Sequence, residues 1–136
     1  TRSLSVMVAL TNNTRLNGSL IVVPGSHRYF VSCPDQTPSN NHETSVVNQT
    51  VGIIPNQQLA ELSAIGGMEL IELKAGDALV FDCNLAHSSN LNMSATPRSN
   101  AFLCLNAVSN ALARPYNGHP PRPNYLGNRL HRVLAF

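Results

Sequence analysis

A chain of 136 residues with 43% hydrophobic content has the length and the apolar material for one domain with a real core. The net charge of +2, the single lysine Lys74 and the scattered arginines leave no basic stripe of the kind nucleic acid requires, so no nucleic-acid partner is expected. The longest apolar runs, such as Leu20 to Val23 and Ala78 to Phe81, are too short to cross a bilayer, so no membrane role is expected either.

The chain opens Thr1-Arg2-Ser3-Leu4, with neither an initiator methionine nor the charged-then-apolar layout of a signal peptide, and reads as part of a longer chain. Ser5 to Leu10 is a compact apolar run. A polar stretch, Thr11 to Leu16, leads to the turn signal Asn17-Gly18, and Leu20-Ile21-Val22-Val23 returns, which predicts an antiparallel pair. Pro24-Gly25 closes it with the sequence of a type II turn. From Cys33 to Thr50 the chain is rich in Asn, Gln, Ser and Thr, as befits a long surface excursion; His42-Glu43 within it reads as solvated.

Asn56 to Ala64 predicts a short helix, preceded by Pro55 and stopped by Gly66-Gly67. Met68 to Leu73 predicts a strand that turns at Lys74-Ala75-Gly76-Asp77. The next strand ends near Phe81 and delivers His87 beyond it. Asp82 points away from the Phe81 face and reads as structural. The last strand starts at Arg98 and runs to Asn106. The tail from Arg114 to Arg132 carries Pro115, Pro120, Pro121 and Pro123 and reads as irregular structure. About five strands with one helix argue for an all-β, mainly antiparallel domain of the jelly-roll kind. Cys33, Cys83 and Cys104 include no Cys-x-x-Cys pair, so buried reduced thiols of a cytoplasmic protein are expected.

Successive strand side chains point to opposite faces, so Arg98, Asn100, Phe102 and Cys104 share one face. Ser99, Ala101, Leu103 and Leu105 share the other, which reads as an ordinary core face. A charge, an amide and an aromatic in a row need polar company inside a core. With His87 one strand away, they suggest a site that holds a metal and an anion side by side.

The segment Asn17 to His27, which contains Pro24-Gly25-Ser26-His27, together with Gly76-Asp77, Phe81, His87 and Arg98, resembles the phytanoyl-CoA-dioxygenase-like iron and 2-oxoglutarate oxygenases. Within that family, Phe81-Asp82-Cys83-Asn84, His87-Ser88-Ser89-Asn90, Pro97 to Leu103 and Asn106 to Asn110 are similar to the ectoine hydroxylases, as are Val31-Ser32-Cys33 and Pro121-Arg122-Pro123. The likeness spans nearly the whole chain. It implies a double-stranded β-helix (a jelly-roll or cupin-like fold), of which residues 1–136 would be the C-terminal part of a single oxygenase domain. Ferrous iron would be the cofactor, held by two histidines and a carboxylate that leave positions open, with 2-oxoglutarate and O2 as cosubstrates.

Carried over by the resemblance, His87 is the second metal histidine and Arg98 grips the far carboxylate of 2-oxoglutarate with its planar fork. Both count as catalytic residues. Phe81 and Phe102 would line the pocket for ectoine, the small-molecule substrate, with Asn100 and Arg122 as polar contacts. The family's His-x-Asp pair has no counterpart, since none of His27, His42, His87, His119 or His131 is followed two positions later by an acid. It would precede Thr1, and the isolated chain would then be inactive. His27 reads as ending a turn, with a role for Ser26 and His27 behind the metal ligands left open. The implied reaction is hydroxylation of ectoine to 5-hydroxyectoine, coupled to decarboxylation of 2-oxoglutarate to succinate and CO2. A related oxygenase acting on another small zwitterion and a non-catalytic jelly-roll binding module remain alternatives, and a homodimer stays open.

Overall fold

The computed structural model of the chain describes residues 2–33 and 52–110. Arg122, the Pro-rich tail and His42-Glu43 lie outside them. The chain divides into a unit of residues 1–32 and 54–107, described below, and a second unit of residues 33–53 and 108–136.

The first unit holds strands β1 (Ser3–Ala9), β2 (Leu20–Val22), β3 (Glu69–Ile71), β4 (Ala78–Asp82), β5 (His87–Ser89) and β6 (Asn100–Asn106), with helix α1 (Asn56–Gly66) between β2 and β3. They form two antiparallel three-stranded sheets, ordered β4-β1-β6 and β3-β2-β5. In chain order, then, the strands pass from one sheet to the other and back, which is the jelly-roll pattern expected of the sequence. The core lies between the sheets: Met7 and Phe81 from one face Leu20 and Val22 from the other, with Ile71, Leu73, Leu79 and Leu85 packed around them. Among the described residues no helix is long and apolar enough to cross a membrane.

Three sequence expectations change. Ser5–Leu10 and Leu20–Val23 do not pair with each other; β1 and β2 belong to different sheets. The polar stretch between them is a crossing, and part of it is buried. Asn13 is 1% exposed and Asn17 2%. Buried backbone needs partners. Asn13 exchanges both main-chain bonds with Leu73, at 2.7 and 3.0 Å. Asn17 accepts from the Thr14 N–H and donates to the Asn12 carbonyl, each at 2.7 Å. Asparagines that read as a hairpin loop therefore satisfy a connection through the interior. Gly18, at φ 90°, completes it, because a Cβ there would come within 2.7 Å of the Asn90 carbonyl oxygen.

Secondly, the Ala101, Leu103 and Leu105 face is not the core face. In register Met7 faces Phe102, and Met7 is fully buried, whereas Leu103 and Leu105 are 56% and 48% exposed. The face with Arg98, Asn100 and Phe102 is the one turned toward the second sheet, so its polar groups lie beside the core. Thirdly, the cysteines carry free thiols but none is buried: Cys33 and Cys83 are half-buried and Cys104 is exposed. Cys83 follows β4, and the Ser3 and Ser5 hydroxyls meet its sulfur at 3.0 and 3.3 Å.

The remaining expectations need only adjusted limits. The helix runs two residues past Ala64, to Gly66, and closes at Gly67, where φ is 72° and the N–H bonds to the Ser63 carbonyl. Pro24-Gly25 makes the type II turn, with Gly25 at φ 81° and the Ser26 N–H on the Val23 carbonyl at 3.2 Å. Arg98 stands just before the last strand, which begins at Asn100.

Candidate metal and cosubstrate site

β4 ends in a tight turn. Asp82 accepts the Asn84 N–H on its carboxylate at 2.8 Å and the Leu85 N–H on its carbonyl at 2.9 Å, the structural role read from its sequence position. The turn carries the chain into the second sheet, where β5 begins with His87. The His87 ring sits edge-on to the buried Phe81 ring, centroids 5.3 Å apart. Its Nδ1 lies 2.7 Å from the Leu85 carbonyl oxygen. A carbonyl can only accept, so the bond places the proton on Nδ1 and leaves the lone pair on Nε2. That is the tautomer of a metal-binding histidine, fixed by the partner such a histidine ordinarily has.

Arg98 meets the same strand. Its guanidinium donates to the Ser89 hydroxyl at 3.2 Å. Ser89 is two residues beyond His87 and so shares its face of β5. The structure thus brings His87, Ser89 and Arg98 together at one side of the β3-β2-β5 sheet, with Arg98 half-buried and His87 exposed. Ser89 is the residue that sequence reasoning missed. β5 is three residues long, His-Ser-Ser, and carries no apolar alternation by which a strand could be found.

The other expected residues divide. Phe81 and Phe102 flank β1 on one face, opposite Ser5 and Met7 respectively. Phe81 is buried against His87, while Phe102 is 55% exposed and free to meet a ligand. Asn100 is turned inward. Its Oδ1 accepts from Asn13 Nδ2 at 2.9 Å, and its own Nδ2 reaches the Met7 sulfur at 3.6 Å. These bonds brace the strand next to Arg98 and leave a second lone pair on Oδ1 and a second N–H on Nδ2.

Among the described residues no three His, Cys, Asp or Glu side chains gather closely enough to hold a metal ion. His87 fits as one ligand of a shared site, and among the described residues β5 pairs with β2 alone.

The chain matches the phytanoyl-CoA dioxygenase (PhyH) family model over residues 1–100, and it belongs to that family. It is 44% identical, over 128 residues, to the ectoine dioxygenase of Sphingopyxis alaskensis; the match covers 94% of this chain and 42% of that protein. The crystal structure of EctD from S. alaskensis with 2-oxoglutarate and 5-hydroxyectoine superposes with a TM-score of 0.74 at 40% identity, covering 93% of this chain and 39% of that one. The same enzyme with bound Fe superposes at 0.72, covering 93% and 38%. The chain therefore spans about two fifths of the length of the relatives it matches.

Proposed function

We propose that this chain supplies the histidine and cosubstrate-arginine part of an Fe(2+)- and 2-oxoglutarate-dependent dioxygenase that hydroxylates ectoine to 5-hydroxyectoine. The carrying observation is the His87, Ser89 and Arg98 group on one face of β5, in a chain similar to enzymes named ectoine dioxygenases. His87 Nε2 is one iron ligand. The other two come from outside the described residues.

Arg98 binds the distal carboxylate of 2-oxoglutarate through its planar guanidinium, which the bond to Ser89 helps to orient. The Ser89 hydroxyl can donate its own proton to the same carboxylate while it accepts from Arg98. Phe81 backs the imidazole and keeps water from that side of it. The exposed ring of Phe102 offers its face to the delocalised cation of ectoine, and Arg122 is the candidate for the substrate carboxylate. Bound iron, with 2-oxoglutarate and O2, supplies the oxidising power, with succinate and CO2 as coproducts.

The test is direct. The full-length protein, incubated with Fe(2+), 2-oxoglutarate and ectoine in air, should form 5-hydroxyectoine and succinate in equal amounts by NMR. Succinate without 5-hydroxyectoine would keep the oxygenase and discard the substrate. Absence of both would discard the reading.

A further inference from the structure

The Pro24-Gly25-Ser26 turn touches the strand that carries His87 at one residue, Ala86. The antiparallel ladder between β2 and β5 pairs Leu20 with Ser89, Ile21 with Ser88 and Val22 with His87. One more backbone bond follows, from the Val23 N–H to the Ala86 carbonyl at 2.9 Å. Pro24 then ends the ladder's supply of donors, since it has no N–H. The Val23 carbonyl is also spent, because it accepts from the Ser26 N–H across the turn. The Ala86 N–H is left without a backbone acceptor, and the Ser26 hydroxyl oxygen takes that place at 2.8 Å.

Ser26 is 3% exposed and Ala86 8% exposed, so water does not compete for this bond. The turn itself is held from behind. Val23, Ala86 and Leu62 of α1 form one buried cluster, and Gly66 at the helix end lies so close to Pro24 that a Cβ there would overlap the Pro24 carbonyl oxygen. Both main-chain groups of Ala86 are thereby fixed to a rigid support, immediately before His87.

We propose that Ser26 is the positioning residue of His87: its hydroxyl replaces the missing ladder acceptor and sets the direction in which the imidazole presents Nε2. The inference rests on the reading of His87 as a metal ligand. Partners behind a ligand commonly govern metal affinity by about 10- to 100-fold. The Leu85 carbonyl and the Phe81 ring hold the imidazole itself, while Ser26 holds the backbone from which it projects.

The experiment uses the full-length protein with Co(II) as the probe, titrated by calorimetry and followed by its visible absorption. Ser26→Ala should weaken Co(II) binding about tenfold, at the low end of that range, and alter the Co(II) spectrum. Ser26→Thr, which keeps the hydroxyl, should restore both. Ser26→Cys, a poor acceptor, should fall between. In the wild-type protein the Ala86 amide should be strongly protected from hydrogen exchange, a reading that does not depend on any variant folding. Wild-type affinity and spectrum in Ser26→Ala, or fast exchange at Ala86, overturns the proposal. His87→Ala, run alongside, separates the two claims: if it too binds Co(II) normally, the metal reading fails rather than the role of Ser26.

Discussion

In the β4-β1-β6 sheet the strands have five, seven and seven residues, while every strand of the β3-β2-β5 sheet has three. The longer sheet contributes Met7 and Phe81 to the core and the ring of Phe102 to its inner face. The shorter one carries His87 and Ser89 on a strand with no buried residue. A few ladder bonds cannot by themselves hold a side chain in one orientation, and here they are supplemented by other contacts. The Leu85 carbonyl fixes the imidazole, Ser26 fixes Ala86, and Arg98 reaches across from beside β6 to Ser89. Both sheets build the core, since Leu20 and Val22 of β2 meet Met7 and Phe81, but the proposed metal and cosubstrate residues His87 and Ser89 stand on the short sheet, where the strand that carries them is braced from outside.

Removing His87 should break that division most sharply. His87 is exposed, so His87→Ala in the complete protein should leave the unfolding temperature nearly unchanged while abolishing stoichiometric Fe(2+) binding and turnover. A variant that unfolds earlier yet binds iron normally would make β5 a structural strand and nothing more. Arg98→Ala comes next. Loss of one partner of a buried ion pair costs about 3 to 5 kcal/mol. Arg98 is half-buried, so the low end applies, which is about a hundredfold rise in the 2-oxoglutarate requirement at about 1.4 kcal/mol per factor of ten. Steady-state turnover against 2-oxoglutarate concentration reads it, and an unchanged response would refute the assignment. On the long sheet the opposite pattern is expected. Met7→Ala should cost about 2 kcal/mol of stability, the low end for such truncations, because the exposed ring of Phe102 opposite can settle inward. Denaturant unfolding measures that loss, and the folded fraction should keep its iron affinity.

His87 and Arg98 were visible in the sequence at strand ends, and their roles and those of the two phenylalanines were implied by the motifs that resemble the family. The turn at Pro24-Gly25 and the helix ending at Gly66-Gly67 were equally plain, since their residue types demand those backbone angles. Pairing was another matter. β1 and β2 fall in different sheets while β2 and β3 share one, and local turn chemistry at Asn17-Gly18 gives no sign of whether the chain folds back or crosses over. β5 left no periodic trace, and with it Ser89 was hidden. Asn100 was assigned to the correct face, but only the position of Asn13, far away in the chain, shows that its amide is engaged. Which face of β6 is covered could not be told from apolar content alone, because Leu103 and Leu105 are more apolar than the Arg98, Asn100 and Phe102 row that turns inward.

The smallest expected effect tests whether the long sheet stays wholly out of the chemistry. Phe102 belongs to that sheet by its pairing with Met7, yet its ring is exposed on the inner face, where a substrate cation could lie against it. A cation over a phenyl face is worth roughly 0.5 to 2 kcal/mol, depending on how far water is excluded. The exposure of this ring favours the lower part of that range. Phe102→Leu keeps an apolar wall and removes the ring's quadrupole, so the KM for ectoine should rise a few-fold while the 2-oxoglutarate response, set by Arg98 and Ser89, stays as it was. If both responses decline together, Phe102 supports the strand that leads from Arg98 and does not read the substrate. If neither moves, the long sheet contributes only its core, and specificity must come from residues beyond β1, β4 and β6.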